Sequence, residues 1–160
     1  MTSLRDLLEK LLENVVLVLM AALALLVVVA VLFRKAGAPL VWYDEVAPIL
    51  LAWLTYYGAA LAALKHAHIG FPKLVASTPR KFRPVLIAVR ETFVVAFFSL
   101  AAWAGWRVML VLDDTYLVSL PWMPARLTQS VIPIGAVLFI VAELVAVVER
   151  LEREREAAAR

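Results

Sequence analysis

Nineteen consecutive residues, Val15 to Phe33, carry no charged and no strongly polar side chain. Wound as an α-helix at 1.5 Å per residue, such a run reaches roughly 28 Å, about the thickness of a bilayer's hydrocarbon core. A helix that is apolar on every face has no water-facing side. Three more long apolar segments follow, so the chain reads as an integral membrane protein.

Composition agrees. Hydrophobic residues make up 64% of the 160 positions, against about 45–50% in an ordinary soluble domain. The net charge of +3 could suggest nucleic acid as a partner, but the basic residues flank the apolar runs, where membrane topology places them. With no cysteine in the chain, disulfides, thiolate metal sites and cysteine nucleophiles are excluded. The first apolar run is too long for a cleaved signal peptide, and Asp6, Glu9 and Glu13 mix with Arg5 and Lys10 before it, so it is expected to be retained as a span.

The segments predict spans over about 13–33, 43–64, 85–112 and 129–149, with a short helical tail over 150–160 that alternates acids and bases. Backbone polar groups in lipid must be satisfied within the segment, and period-2 alternation is absent, so helices are expected and not a barrel. The expected fold is all-α, one domain of four transmembrane helices. Orientation follows from Lys and Arg. Twelve of them fall in the N-terminal stretch, the loop and helix start from Lys65 to Arg90, and the tail; only Arg34, Lys35 and Arg126 fall on the other side. Both termini and the middle loop are therefore expected in the cytoplasm. Trp42, Tyr43, Trp103, Trp106, Tyr116 and Trp122 would gather at the outer interface, a depth that suits amphipathic rings.

Ionisable groups within spans are costly and therefore informative. Arg90 and Glu143 are expected at similar depth on consecutive spans, where they would pair; snorkelling of Arg90 to the headgroups is the plainer reading. Glu45, at the start of the second span, suits the positive end of a helix dipole. Its alternative is a salt bridge to Arg34 or Arg107 that fixes how three helices meet. Gly58 and Ala62 make a small-xxx-small pair that permits close helix approach. His66 and His68 lie two apart in the middle loop, a poor arrangement for haem or metal, so a contact role is expected of His68. Phosphate-binding, metalloprotease and nucleophile-elbow motifs are absent. No cofactor, metal or catalytic residue is expected, and the chain reads as an accessory membrane subunit, not an enzyme.

One resemblance sharpens this reading. Trp42-Tyr43-Asp44-Glu45, then Trp53 and Gly58-Ala59-Ala60, then Lys65-His66-Ala67-His68-Ile69, then Pro121-Trp122 and Ile132-Pro133-Ile134-Gly135 stand in order across the four spans. Together they resemble the small membrane subunit of TRAP (tripartite ATP-independent periplasmic) transporters over about residues 11–148. The chain departs from the family pattern at Ala67, where a glycine is usual, and at Gly70-Phe71-Pro72-Lys73, where an acid commonly comes first. The resemblance implies a bacterial inner membrane location and a large multi-span permease partner that holds the substrate and sodium sites. It also implies a periplasmic protein that captures a carboxylate-type solute, and a bracing role for the small subunit. Arg126, in the outer loop, is the expected contact with the periplasmic protein. The competing reading is a self-sufficient homodimeric proton-coupled exporter using Glu143 or Glu45. A membrane electron carrier is disfavoured by the lack of histidines within the spans.

Overall fold

Each of the long apolar runs is a helix in the computed structural model, which describes residues 2–65 and 82–158. Helix α1 spans Thr2–Lys35, α2 Tyr43–Leu64 and α3 Arg83–Val111; a short α4, Ala125–Gln129, precedes α5, Val131–Ala158. Four of them, α1, α2, α3 and the α4–α5 segment, are long and apolar enough to cross a membrane among the described residues. The middle loop, with His66, His68, Lys73, Arg80 and Lys81, lies outside the described residues.

Local chemistry explains the ends. Arg34 and Lys35 close α1, where cations complement the negative end of the helix dipole. Gly37 then adopts φ +80°, and the amides of Gly37 and Ala38 donate to the carbonyls of Arg34 and Phe33 at 3.2 and 3.0 Å. This is a Schellman cap, which favours glycine at the left-handed position. Pro39 follows and blocks continuation. Asp44 and Glu45 occupy the first turn of α2, the favourable end for acids. Pro84 sits in the first turn of α3 and Pro133 in the first turn of α5, where the missing N–H would have had no helical partner in an isolated helix.

α1 is much longer than a bilayer requires. Its 34 residues extend about 51 Å, so a good part projects beyond the hydrocarbon. α5 likewise continues through the charged segment to Ala158.

The helices do not close into a ring. Substantial packing runs from α1 to α2, from α2 to α5 and from α5 to α3. The spatial order is thus α1–α2–α5–α3, an open row with two central and two edge helices. In lipid this is reasonable, because an uncovered apolar face meets acyl chains at no hydrophobic cost, and helix association depends on shape and polar pairs.

The core is small. Leu12 of α1, Ala60, Ala63 and Leu64 of α2, and Phe139 and Ala142 of α5 are buried together. Phe98 of α3 stacks on Phe139 with ring centroids 3.7 Å apart, so one aromatic pair links the fourth helix of the row to this cluster.

Two glycines set the helix spacing. A Cβ at Gly135 would lie 2.7 Å from the Cβ of Tyr56, and one at Gly105 would lie 2.7 Å from Ile132 Cγ2 and 2.8 Å from Pro133 Cδ. These are the close approaches of α5 to α2 and of α3 to α5. Gly58, the glycine singled out from the sequence, does not do this within the chain: a Cβ there would meet nothing within 4 Å. The small-xxx-small spacing was present, but that face of α2 is turned away from α5.

Candidate functional site

The informative features are the polar side chains that join helix to helix. They divide between the two ends of the row.

At the end where α1 and α3 begin and α2 and α5 finish, the joints are ionic. Arg90 Nη2 of α3 donates to Glu143 Oε1 of α5 at 2.7 Å and lies 2.8 Å from Glu91 Oε1. Glu143 is only 4% exposed, while the Arg90 side chain is 43% exposed. The carboxylate is thus the buried partner, and the guanidinium compensates a charge that could not stand alone in that position. Counting along the helices puts Glu143 about 9 Å, six residues, from the end of its span at Glu149. The two residues expected to share a depth do meet. Arg90 is more than a snorkelling cation, since one of its nitrogens serves two acids.

Two further ionic joints hold α1. Lys65, just past α2, donates to Glu13 in a short contact and lies 3.5 Å from Glu9. The Glu13 carboxylate, with the neighbouring charge of Glu9, holds the Lys65 ammonium above its ordinary pKa of 10.5. Arg5 Nη1 lies 3.2 Å from Glu149 Oε2 near the end of α5's membrane span. The polar start of α1 is therefore tied to both central helices.

At the opposite end the joints are hydrogen bonds. Glu45 does not reach Arg34 or Arg107. Its Oε2 accepts from the Ser119 amide at 3.0 Å and from the Ser119 hydroxyl in a shorter contact. Ser119 belongs to a small hairpin between α3 and α4, marked by a bridge between Tyr116 and Pro124. A two-donor grip from a nearby loop satisfied the carboxylate, so no cation was needed. Arg107 instead lies over Trp103 on its own helix, with Cζ 5.7 Å from the ring centroid. Trp53 Nε1 donates to the Thr128 carbonyl at 3.0 Å. That carbonyl is available because the helical ladder breaks at Ser130, between α4 and α5. Trp42 is half-buried at the N-cap position of α2. Arg126 Nη1 lies 2.5 Å from Asp113 Oδ1, both exposed, and this pair closes the base of the hairpin.

Among the described residues no group of three His, Asp or Glu side chains is placed to hold a metal ion. The ion pairs of Arg90 with Glu143, Arg5 with Glu149 and Lys65 with Glu13 join helix to helix. Sequence reasoning missed Ser119, Glu13, Gly105 and Gly135 as joints. Gly135 carried a usable signal, since it directly follows the Ile-Pro-Ile segment at the start of a span. Ser119 carried none, because a loop serine says nothing about which helix it will meet.

A family model described as "Tripartite ATP-independent periplasmic transporters, DctQ component" matches residues 23–153. The chain belongs to that family. It is the small membrane component of a TRAP transporter, a multi-pass membrane protein. Members of the DctQ family work with a large permease component and a binding protein. No curated protein matches this DctQ chain. The matched stretch takes in the second part of α1 and all of α2, α3 and α4, with most of α5. Arg90, Glu143, Glu45 and Ser119 fall within it, whereas Arg5, Glu9 and Glu13 precede it.

Proposed function

We propose that this chain is a non-catalytic scaffold in a sodium-coupled TRAP transporter that imports a carboxylate-type solute across the bacterial inner membrane. The observation that carries this reading is the use of the charged groups. Arg90, Glu143, Arg5, Glu149, Lys65 and Glu13 all join one helix to another, as groups in a brace would. The excess of Lys and Arg around the start of α1, the middle loop and the tail supports cytoplasmic termini. The edge helices α1 and α3 present long apolar faces, including Leu25, Val28, Phe93 and Phe97, which suit the large permease subunit or lipid. Gly58 and Trp42 belong to the same expected contact surface, as does His68 beyond the described residues. Arg126, exposed beside Asp113, is the proposed contact with the soluble binding protein.

The competing exporter reading uses Glu143 as a proton-coupling carboxylate. The buried pairing of Glu143 with Arg90 speaks against it, because that carboxylate is already engaged in joining α5 to α3.

Three measurements test the reading. The tagged chain, solubilised from membranes, should bring down a large multi-span permease. Reconstituted alone, it should carry no carboxylate solute on a sodium gradient; flux from the chain alone that Glu143→Gln abolishes would establish the exporter instead. Charge reversal by Arg126→Glu should lower uptake by the complete system. Unchanged uptake at limiting binding protein would remove Arg126 as a contact.

A further inference from the structure

The connection between α3 and α4 is unusual for a segment outside the spans. From Thr115 to Ala125, eleven residues, it contains no charged side chain. Charges stand only at its ends, Asp113 and Asp114 before it and Arg126 after it. Segments that run through water commonly carry charges, and this one has none.

Its geometry is equally particular. The Ala125 amide donates to the Thr115 carbonyl at 2.8 Å, the Leu117 amide to Met123 at 3.1 Å, and the Met123 amide to Leu120 at 2.9 Å. The hairpin thus satisfies several of its own backbone groups, as a segment must where water is scarce. Along its first arm the side chains alternate. Leu117 and Ser119 turn inward, with Ser119 fastened to Glu45. Tyr116 and Val118 turn outward, Val118 being 90% exposed, and Trp122 is 74% exposed on the return. This outward row continues the exposed apolar end of α3, where Trp103, Trp106, Leu110 and Val111 face away from the other helices.

We propose that the outward face of the 115–125 hairpin inserts into the headgroup and upper acyl region of the leaflet at that end of the protein. Its occupant is the lipid surface. Tyr and Trp are the residues that favour this depth, and amphipathic elements lying in the interface bury their apolar side there. Continuity with the exposed apolar end of α3 places the row at the right level. A surface meant for a water-soluble protein would carry a polar rim, and within these eleven residues no charged side chain supplies one. The charged residues at the hairpin's base, Asp113, Asp114 and Arg126, remain in water. Ser119 and Glu45 then act as the tether that holds the hairpin down and sets the tilt of the α3–α5 pair against α2.

The chain has no cysteine, which makes the test direct. Val118→Cys and Asp114→Cys, each carrying a nitroxide, are prepared in the full-length chain with any large subunit that accompanies it. They are placed in vesicles of phosphatidylcholine and phosphatidylglycerol, and label on the cysteine-free parent is subtracted. The spin label at position 118 should be relaxed several-fold more by oxygen, which partitions into lipid, than by a water-soluble nickel chelate. The label at 114 should show the reverse. Chelate access at 118 equal to that at 114 would overturn the proposal, and so would shielding of 118 from both relaxants, which would mean that protein covers it. If Val118→Cys does not assemble, Tyr116→Cys on the same row reads the same quantity. The measurement needs no transport, so a failed uptake assay and a failed lipid contact are separate results.

Discussion

Helices α1 and α5 are both strongly apolar, and α1 is the more apolar of the two. Yet α5 is the helix most enclosed by its neighbours, while α1 lies at an edge with most of its length uncovered. In water the more hydrophobic helix would take the centre. In lipid both surfaces are equally at home, so apolarity no longer ranks helices by burial. What α5 has and α1 lacks is shape and polarity on two sides. Gly135 lets Tyr56 of α2 come close on one side, and Ile132 and Pro133 meet Gly105 of α3 on the other. Glu143 adds a charge that demands a partner. The centre of the row is therefore the helix with the most specific contacts.

That contrast can be broken most strongly at the buried acid. Arg90→Ala would leave Glu143 enclosed without its cation. Breaking a buried pair in this way costs about 3–5 kcal/mol. The lower end is expected here, because the Arg90 side chain is 43% exposed. In detergent the variant should lose monodispersity at a clearly lower temperature by heat-challenge size exclusion. The double replacement Arg90→Leu with Glu143→Leu should recover most of the loss. No recovery would mean that the pair does more than neutralise its own charge.

Shape comes next. Gly135→Ala places a methyl group against the Tyr56 Cβ, which cannot swing aside, and overpacking of this kind costs about 1–3 kcal/mol. Gly58→Ala places its methyl in open space and should not lower the melting of the isolated chain, since alanine suits a helix interior better than glycine by about 0.5–1 kcal/mol. If Gly58→Ala instead impairs co-purification with the large subunit, that face of α2 is a contact with another chain. Equal effects of the two substitutions on the isolated chain would refute the shape argument.

The tether at the other end should matter less. Ser119→Ala removes the hydroxyl donor to Glu45 but keeps the amide donor, so a loss of about 0.5–1.5 kcal/mol is expected. The more telling readout is increased protease access to the 115–125 hairpin.

The smallest effect concerns Lys65. Its pKa is raised by Glu13 above 10.5, so its contribution to holding α1 against α2 is fully present below the unfolded-state value. That contribution is lost only as pH rises through the higher folded-state value. Stability measured from pH 7 to pH 9 should therefore show no drift that Lys65→Met removes, and a drift within that window would point to a different group.

Much was legible before any coordinates. Four helices of membrane-crossing length follow from runs of apolar residues, because bilayer thickness imposes a length that chance rarely produces. The meeting of Arg90 with Glu143 was accessible too, since two charges within spans have few places to go. Glu45 was half legible. Its place at a helix start was clear, but its partner was not, because a carboxylate accepts from a backbone amide and a hydroxyl as readily as from an arginine.

The amino-acid order alone determined that this chain lives in a membrane, crosses it as helices, and carries its positive charge mainly toward one side. Those properties are sums along the chain, set by the cost of placing polar groups in hydrocarbon. Only the tertiary structure decided the order α1–α2–α5–α3, the choice of Gly105 and Gly135 over Gly58 as points of close approach, and the capture of Glu45 by Ser119. Each of these depends on which face of one helix meets which face of another, and lipid gives no hydrophobic signal by which the sequence could mark that choice.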